Sequence, residues 1–147
     1  MKSVAKLMLV PMIVLVCMAC GEQSKTNKLS RKQEIEAFMN NYADLLRAQD
    51  MAGIGNLYFE NDIVMSGHGR YEVLMLDSVK ARYVRSGGEP TRFRWDRTRI
   101  ELLGDSAALV TAGFYWNDDG PASYTGVFLK TKQGWKIKHE HESFSCK

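Results

Sequence analysis

Hydrophobic and polar positions divide the chain into four zones, each with its own spacing. Leu7 to Ala19 is a run of thirteen mostly apolar residues, and Glu22 to Leu29 is polar without an apolar period. From Ile35 to Leu46, apolar residues recur every three to four positions, which predicts a long amphipathic helix ending near Gln49. The last zone, from about residue 91, consists of apolar stretches separated by turn residues, which indicates strands.

Capping residues predict where the helices begin. Ser30 and Gln33 have the spacing of a capping box and would start the long helix. Asp50 and Asp77 can cap two shorter helices, the second of which stops before the breaker cluster at 87–90. Two short strands are predicted between these helices, at 62–66 and 71–75.

Four longer strands are predicted in the rest of the chain. Their approximate ranges are 91–103, 106–117, 122–131 and 134–144. The connections are short, so neighbouring strands should be antiparallel. Helices followed by a meander predict an α+β domain.

The leader has the order of features that secretion requires. Lys2 and Lys6 precede the apolar run, which at thirteen residues is shorter than the roughly 20 needed to span a bilayer. The segment ending in Ala19-Cys20 resembles the lipobox of bacterial lipoproteins, which implies cleavage before Cys20 and its lipidation. Cys17 stands where that motif usually has Leu, so cleavage by ordinary signal peptidase stays an alternative. The predicted domains are a signal peptide (1–19), a lipidated cysteine with a tether (20–29) and a folded domain (30–146).

Export restricts the partners that the domain could meet. The chain has 20 basic and 17 acidic residues, and removal of Lys2 and Lys6 with the leader lowers its net charge from +3 to +1. We therefore expect no nucleic-acid partner and a membrane contact through the lipid alone. Gly21, rather than Asp, follows Cys20, which by resemblance to sorted lipoproteins implies the periplasmic side of the outer membrane. Cys146 has no internal cysteine partner once Cys20 is acylated.

The order of elements and several local phrases resemble the SnoaL-like branch of the nuclear-transport-factor-two and ketosteroid-isomerase superfamily. The phrases are Tyr42-Ala43-Asp44, Asp50-Met51, Leu57-Tyr58, Asp62-Ile63-Val64, Gly104-Asp105-Ser106-Ala107 and Gly134-Trp135-Lys136-Ile137 with His139-Glu140-His141-Glu142-Ser143. The resemblance implies a curved, cone-shaped antiparallel sheet with helices packed on one side, and often a homodimer through the sheet. It implies no single activity, since fold does not decide function.

Alternation along the last strand provides the first candidate site residues. It predicts that Trp135, His139 and His141 face the interior, while Glu140 and Glu142 face water. Interior histidines can bind a ligand or transfer a proton, although simple packing is an equally good interpretation. We therefore name His139 and His141 as candidates for both ligand binding and catalysis.

Aromatic residues and one carboxylate complete the candidates. Tyr42, Tyr58 and Trp116 could offer polar tips inside an apolar pocket. Asp96 is the one strand carboxylate that this pattern allows to face inward as a catalytic base. His68, in a Gly67-His68-Gly69 turn, is not expected to join the other histidines in a metal site, and no cofactor is expected.

Three functions stay open from the sequence. The first is binding of a small, largely apolar molecule, for which a pocket between helix and meander is expected. The second is an enzyme of isomerase, cyclase or dehydratase type, and the third is a protein-interaction domain without a ligand. An inward carboxylate within hydrogen-bonding reach of His139 or His141 would favour the enzyme, whereas a dry cavity with unpaired aromatic tips would favour binding.

Overall fold

The computed structural model describes residues 10–67, 69–86, 88, 91–117 and 119–144, with side chains from residue 26 onward except Ser86. Contacts divide the chain into two compact units, Met1–Gln33 and Glu34–Lys147. No helix within the described ranges is long and apolar enough to cross a membrane.

The described residues form three helices, and the first is longer than expected. They are α1 (Val10–Ala48), α2 (Met51–Gly55) and α3 (Leu76–Ser86). The prediction that the long helix begins at Ser30 is wrong, because α1 is already helical through 22–29. That polar stretch contains no proline or glycine and is rich in Glu, Gln and Lys, which favour helix, so nothing ends the helix there.

Asp50 caps α2 as the sequence predicts. Its carboxylate accepts a hydrogen bond from the backbone N–H of Gly53 at 2.8 Å. The helix ends at Gly55, earlier than the pattern suggests, and Tyr58 instead forms an isolated parallel bridge with Ile137. The short α2 therefore leads directly into a segment attached to the sheet.

Six strands form one curved sheet with the helices on one side, which confirms the predicted fold class. Their order in the sheet is β2-β1-β6-β5-β4-β3. The strands are β1 (Ile63–Gly67), β2 (Arg70–Leu74), β3 (Phe93–Leu102), β4 (Ala107–Trp116), β5 (Asp119–Thr131) and β6 (Gly134–Ser143). The meander from β3 to β6 is antiparallel as predicted, whereas β1 lies parallel to β6.

The core lies between residues 34–48 of α1 and the sheet. Ile35, Met39 and Leu46 on the helix are buried against aromatic residues of the strands. The Trp95 indole donates a 2.9 Å hydrogen bond to the carbonyl of Met39, and the Trp135 indole donates one of 2.9 Å to Glu34 Oε2. These bonds satisfy the polar atoms that large aromatics bring into a core.

A β-bulge in β6 reverses which side chains face the core. Ile137 pairs with Phe128 of β5 and His139 pairs with the adjacent Val127, so Lys138 has no partner residue on β5. One extra residue moves every later side chain to the opposite face of the sheet. The prediction that His139 and His141 face the interior is therefore wrong, and so is the prediction that Glu140 and Glu142 face water.

The first testable prediction concerns Gly126, which pairs with Glu140 across the β5–β6 ladder. A Cβ at Gly126 would lie 2.5 Å from the Tyr124 hydroxyl and 2.7 Å from Phe128 Cε2, and both rings are fully buried. Gly126→Ala should therefore lower the free energy of unfolding by about 1–3 kcal/mol, as overpacking does. Chemical denaturation measures this change.

Gly113→Ala on the neighbouring β4 is the matched control, because a Cβ there would have its nearest contact at 3.4 Å. Equal losses of stability in the two variants would contradict the assignment of close packing to Gly126.

Candidate functional site

Two glutamates beyond the bulge point to the helix-covered side of the sheet. Glu140 has only 3% of its surface exposed, and Glu142 is half-buried. They are two residues apart on β6, so their side chains share one face. The backbone of β1 lies close to β6 at Gly67, where any side chain on residue 67 would collide with the carbonyl of Glu142.

The hydroxyl groups of three tyrosines, each from a separate element, form a hydrogen-bonded cluster next to Glu140. The hydroxyls of Tyr58 and Tyr83 are 2.6 Å apart, and that of Tyr42 is 3.4 Å from each of them. Tyr83 donates to Glu140 Oε1 at 3.4 Å. Helix α1 supplies Tyr42, α3 supplies Tyr83, and the bridge to Ile137 fixes Tyr58. The cluster exists only because tertiary packing brings these elements together.

Two polar atoms in this region have no partner. Among the side chains that the structure describes, Glu140 Oε2 and the Tyr124 hydroxyl are buried without a hydrogen bond. Leaving a buried polar group unpaired is costly, so native proteins rarely do so. A buried carboxyl with one free oxygen is typical of a site that completes its hydrogen bonds with a ligand.

Burial keeps protons on the two glutamates near neutral pH. It raises the pKa of Glu140 to about 7, against the opposing effect of the tyrosine hydroxyls and Arg82. Burial, together with the charge of Glu140, raises the pKa of Glu142 to about 8. Burial also raises the pKa of Tyr42, Tyr58, Tyr83 and Tyr124, so these phenols stay neutral. Groups that titrate near pH 7 suit proton transfer.

A cleft of about 530 Å³ opens beside the two glutamates, and we call it the Glu140 cleft. An ion pair between Arg82 and Glu72 lies at this cleft. The lining residues are Met65, Ser66, Gly67, Arg70, Glu72, Arg82, Tyr83, Glu140 and Glu142. The volume is that of an ordinary small-molecule site, and five of the nine lining residues are Arg or Glu.

The residues predicted from the sequence are divided among several places. Tyr42 and Tyr58 belong to the tyrosine cluster. His139 and His141 lie on the opposite face, where Ser66 Oγ is 3.5 Å from His139 Nε2 and 3.0 Å from His141 Nδ1. Trp116 does not line the Glu140 cleft and packs edge-on against Phe93, with ring centroids 5.8 Å apart.

Asp96 and the metal candidates do not join this site. Asp96 accepts a 3.0 Å hydrogen bond from Arg97 next to a second irregularity, in the β3–β4 pairing. His68 lies outside the described residues. Within the described part of the chain, no three His, Cys, Asp or Glu side chains are grouped so that they could hold a metal ion.

Sequence reasoning missed Glu140, Glu142, Tyr83 and Tyr124 as site residues. Tyr83 falls on an apolar position of the third predicted helix, which is a signal for burial but not for a site. The glutamates follow a regular alternation of polar residues, and no glycine or proline in 135–143 indicates the bulge.

Comparison with known proteins identifies the family. A family model described as SnoaL-like domain matches residues 35–147. The chain belongs to the SnoaL-like family. A comparison with curated proteins gives no match.

Solved structures share the fold of this SnoaL-like domain at low sequence identity. A cystatin-like fold protein from Burkholderia xenovorans is 20% identical, with a TM-score of 0.68 over 82% of this chain and 96% of its own. A nuclear-transport-factor-two-like protein of unknown function from Shewanella oneidensis is 18% identical, with a TM-score of 0.64 over 76% and 98%. A candidate scytalone dehydratase from Novosphingobium aromaticivorans is 16% identical, with a TM-score of 0.68 over 83% and 89%.

The second prediction is that the SnoaL-like domain loses stability as the pH rises. The pKa values of Glu140 and Glu142 are about 7 and about 8 in the folded domain, against the ordinary glutamate value of 4.5. Between these limits the folded state holds protons that the unfolded state has released, so the free energy of unfolding falls as the pH rises from about 4.5 to about 8. We expect a loss of a few kcal/mol across this window, since one pKa unit corresponds to about 1.4 kcal/mol.

Denaturation at several pH values measures the effect in the protein and in Glu140→Gln. The variant should have a flatter pH dependence because its amide cannot ionise. Glu36→Gln, at an exposed position of α1, is the control and should keep the slope of the unmodified protein. A Glu140→Gln profile as steep as that of the control would contradict the assignment.

Proposed function

We propose that this SnoaL-like domain binds a small molecule in the Glu140 cleft and that the protein carries it at the bacterial cell envelope. The observation that supports binding is the free Oε2 atom of Glu140, which is buried beside a cleft large enough for a ligand. A hydrogen-bond donor on the ligand would give this oxygen a partner and offset the free-energy cost of burying it.

The ligand that fits is less apolar than the sequence pattern suggests. Met65 and the ring of Tyr83 can contact an apolar body, but charged side chains supply most of the remaining lining. We therefore infer a ligand with an apolar part and at least one polar group directed at Glu140. His139, His141 and Trp116 have no part in this proposal because they lie away from the cleft.

A second candidate function is proton-transfer catalysis of the isomerase or dehydratase type. It is favoured by the pKa of Glu140, which at about 7 lets the group both accept and return a proton near neutral pH. Tyr83 could hold the carboxyl in position through its hydrogen bond to Oε1. The shared fold with a candidate scytalone dehydratase agrees with this function, although fold alone does not establish activity.

The envelope location is proposed from the first twenty residues. Lys2 and Lys6, the apolar run and Ala19-Cys20 follow the order of a lipoprotein signal. Lipidation of Cys20 would hold the domain at a membrane surface, and Gly21 favours the outer membrane. A ligand taken from the periplasm would then reach the cleft without crossing the inner membrane.

The third prediction tests ligand binding. The full-length protein is purified from its own membrane and analysed by native mass spectrometry for a small molecule that remains bound. Glu140→Gln should lower the occupancy about tenfold, as expected for loss of a charge-assisted hydrogen bond. Glu36→Gln should keep the occupancy of the unmodified protein. Equal occupancy in all three proteins would place the ligand elsewhere.

The same material distinguishes binding from catalysis. Incubation of the recovered molecule with the protein in D₂O should introduce deuterium if Glu140 transfers a proton, and Glu140→Gln should abolish the exchange. Binding without any exchange or conversion would support a binding domain and exclude the second candidate.

The fourth prediction concerns the anchor. Cys20→Ser should abolish incorporation of labelled palmitate, because the serine hydroxyl cannot take the place of the lipidated thiol. Cys146→Ser is the control and should incorporate label as the unmodified protein does. Label retained in Cys20→Ser would refute lipidation at this position.

A further inference from the structure

We propose that the ligand of the Glu140 cleft carries an ammonium group, which the carboxyl groups of Glu140 and Glu142 bind together. This inference rests on the proposed binding function and adds the chemical class of the ligand. It comes from the charges that surround the two glutamates.

The first step is that, among the residues that the structure describes, no cation in the cleft is ion-paired with the two glutamates. The charged residues that line the cleft besides the two glutamates are Arg70, Glu72 and Arg82. Arg82 forms an ion pair with Glu72, so its charge is shared with that carboxylate. Arg70 is exposed at the end of β2, where solvent screens its charge.

The second step is that the groups packed directly on Glu140 are neutral. Tyr42 comes from α1, Tyr58 from the bridge segment, Tyr83 from α3 and Tyr124 from β5, and burial holds all four phenols in the neutral form. On β1, the residues lining the cleft are Met65, Ser66 and Gly67, which carry no charge. Arg82 is therefore the described cation whose charge reaches Glu140, and it shares that charge with Glu72.

The third step concerns the hydrogen bonds that are already formed. The hydroxyls of Tyr58 and Tyr83 are 2.6 Å apart, and Tyr83 also donates to Glu140 Oε1. A ligand that needed the hydroxyl donor of Tyr58 or Tyr83 would have to compete with these contacts. The free position is instead at Glu140 Oε2, next to a second carboxyl two residues along the strand. An ammonium group has several N–H donors and a positive charge, and it can satisfy both glutamates at once.

Ammonium binding should be coupled to release of a proton. Both glutamates hold protons near neutral pH, and a cation between them favours the ionised forms. Raising the pH from 6 to 8 should therefore tighten binding by about tenfold, since one carboxyl of pKa about 7 must be ionised first. A neutral ligand of the same shape should not gain affinity over this range.

The test compares three ligands of one shape and different charge. They are 2-phenylethylamine, which is a cation at pH 8, 2-phenylethanol, which is neutral, and phenylacetate, which is an anion. Their affinities for the full-length protein in neutral detergent are measured by isothermal titration calorimetry at pH 6 and pH 8. At pH 8 we expect the affinity for the amine to be at least about ten times that for the alcohol, and the anion to bind most weakly.

Variants separate this cation site from a merely structural role of the glutamates. Glu140→Gln and Glu142→Gln should each remove most of the preference for the amine and its pH dependence, while affinity for the alcohol stays within about threefold of the unmodified protein. These changes keep the size of the side chain, and circular dichroism verifies the fold. Glu36→Gln is the matched control and should bind as the unmodified protein does.

Two outcomes would overturn the inference. One is that the alcohol or the anion binds as tightly as the amine, and the other is that none of the three ligands binds. The proposed function fails separately, when the purified protein holds no small molecule that depends on Glu140. A neutral molecule bound at Glu140 would refute the cation site and leave the binding function standing.

Discussion

The site depends on one irregularity in the sheet, the β-bulge at Lys138. A regular strand would have directed the histidines of β6 toward α1 and the glutamates toward solvent. The bulge inserts one unpaired residue, so Ile137 and Glu140 both face the core although they are three positions apart. The candidate chemistry of the domain therefore follows from a backbone feature rather than from a sequence motif.

Burial of the two glutamates determines the surroundings that they require. A carboxyl in a dry region is costly when ionised, and the three hydroxyls above Glu140 reduce that cost only in part. The remaining cost appears as raised pKa values and as one oxygen without a partner. Perturbed carboxyls beside a cleft are typical of functional sites. An apolar side chain would fill the same position more cheaply.

The family and the site give different kinds of information. Structures that are 20% identical or less share this fold, so the curved sheet and its helices tolerate wide changes in sequence. The fold positions buried Glu140, half-buried Glu142 and the tyrosines beside a cleft, but it does not by itself decide what the cleft does.

The sequence alone determined the elements and their order. The meander, the two short strands before it, the cap at Asp50 and the α+β class all follow from local spacing, because periodicity and turn residues act over a few positions. The predicted start of α1 was wrong, because a capping pattern at Ser30 does not interrupt a helix whose preceding residues also favour helix. The site was decided by tertiary structure. Tyr42, Tyr83 and Glu140 are distant in sequence, and a one-residue slip in β–β pairing, which leaves no mark in residues 135–143, chose which side chains were buried.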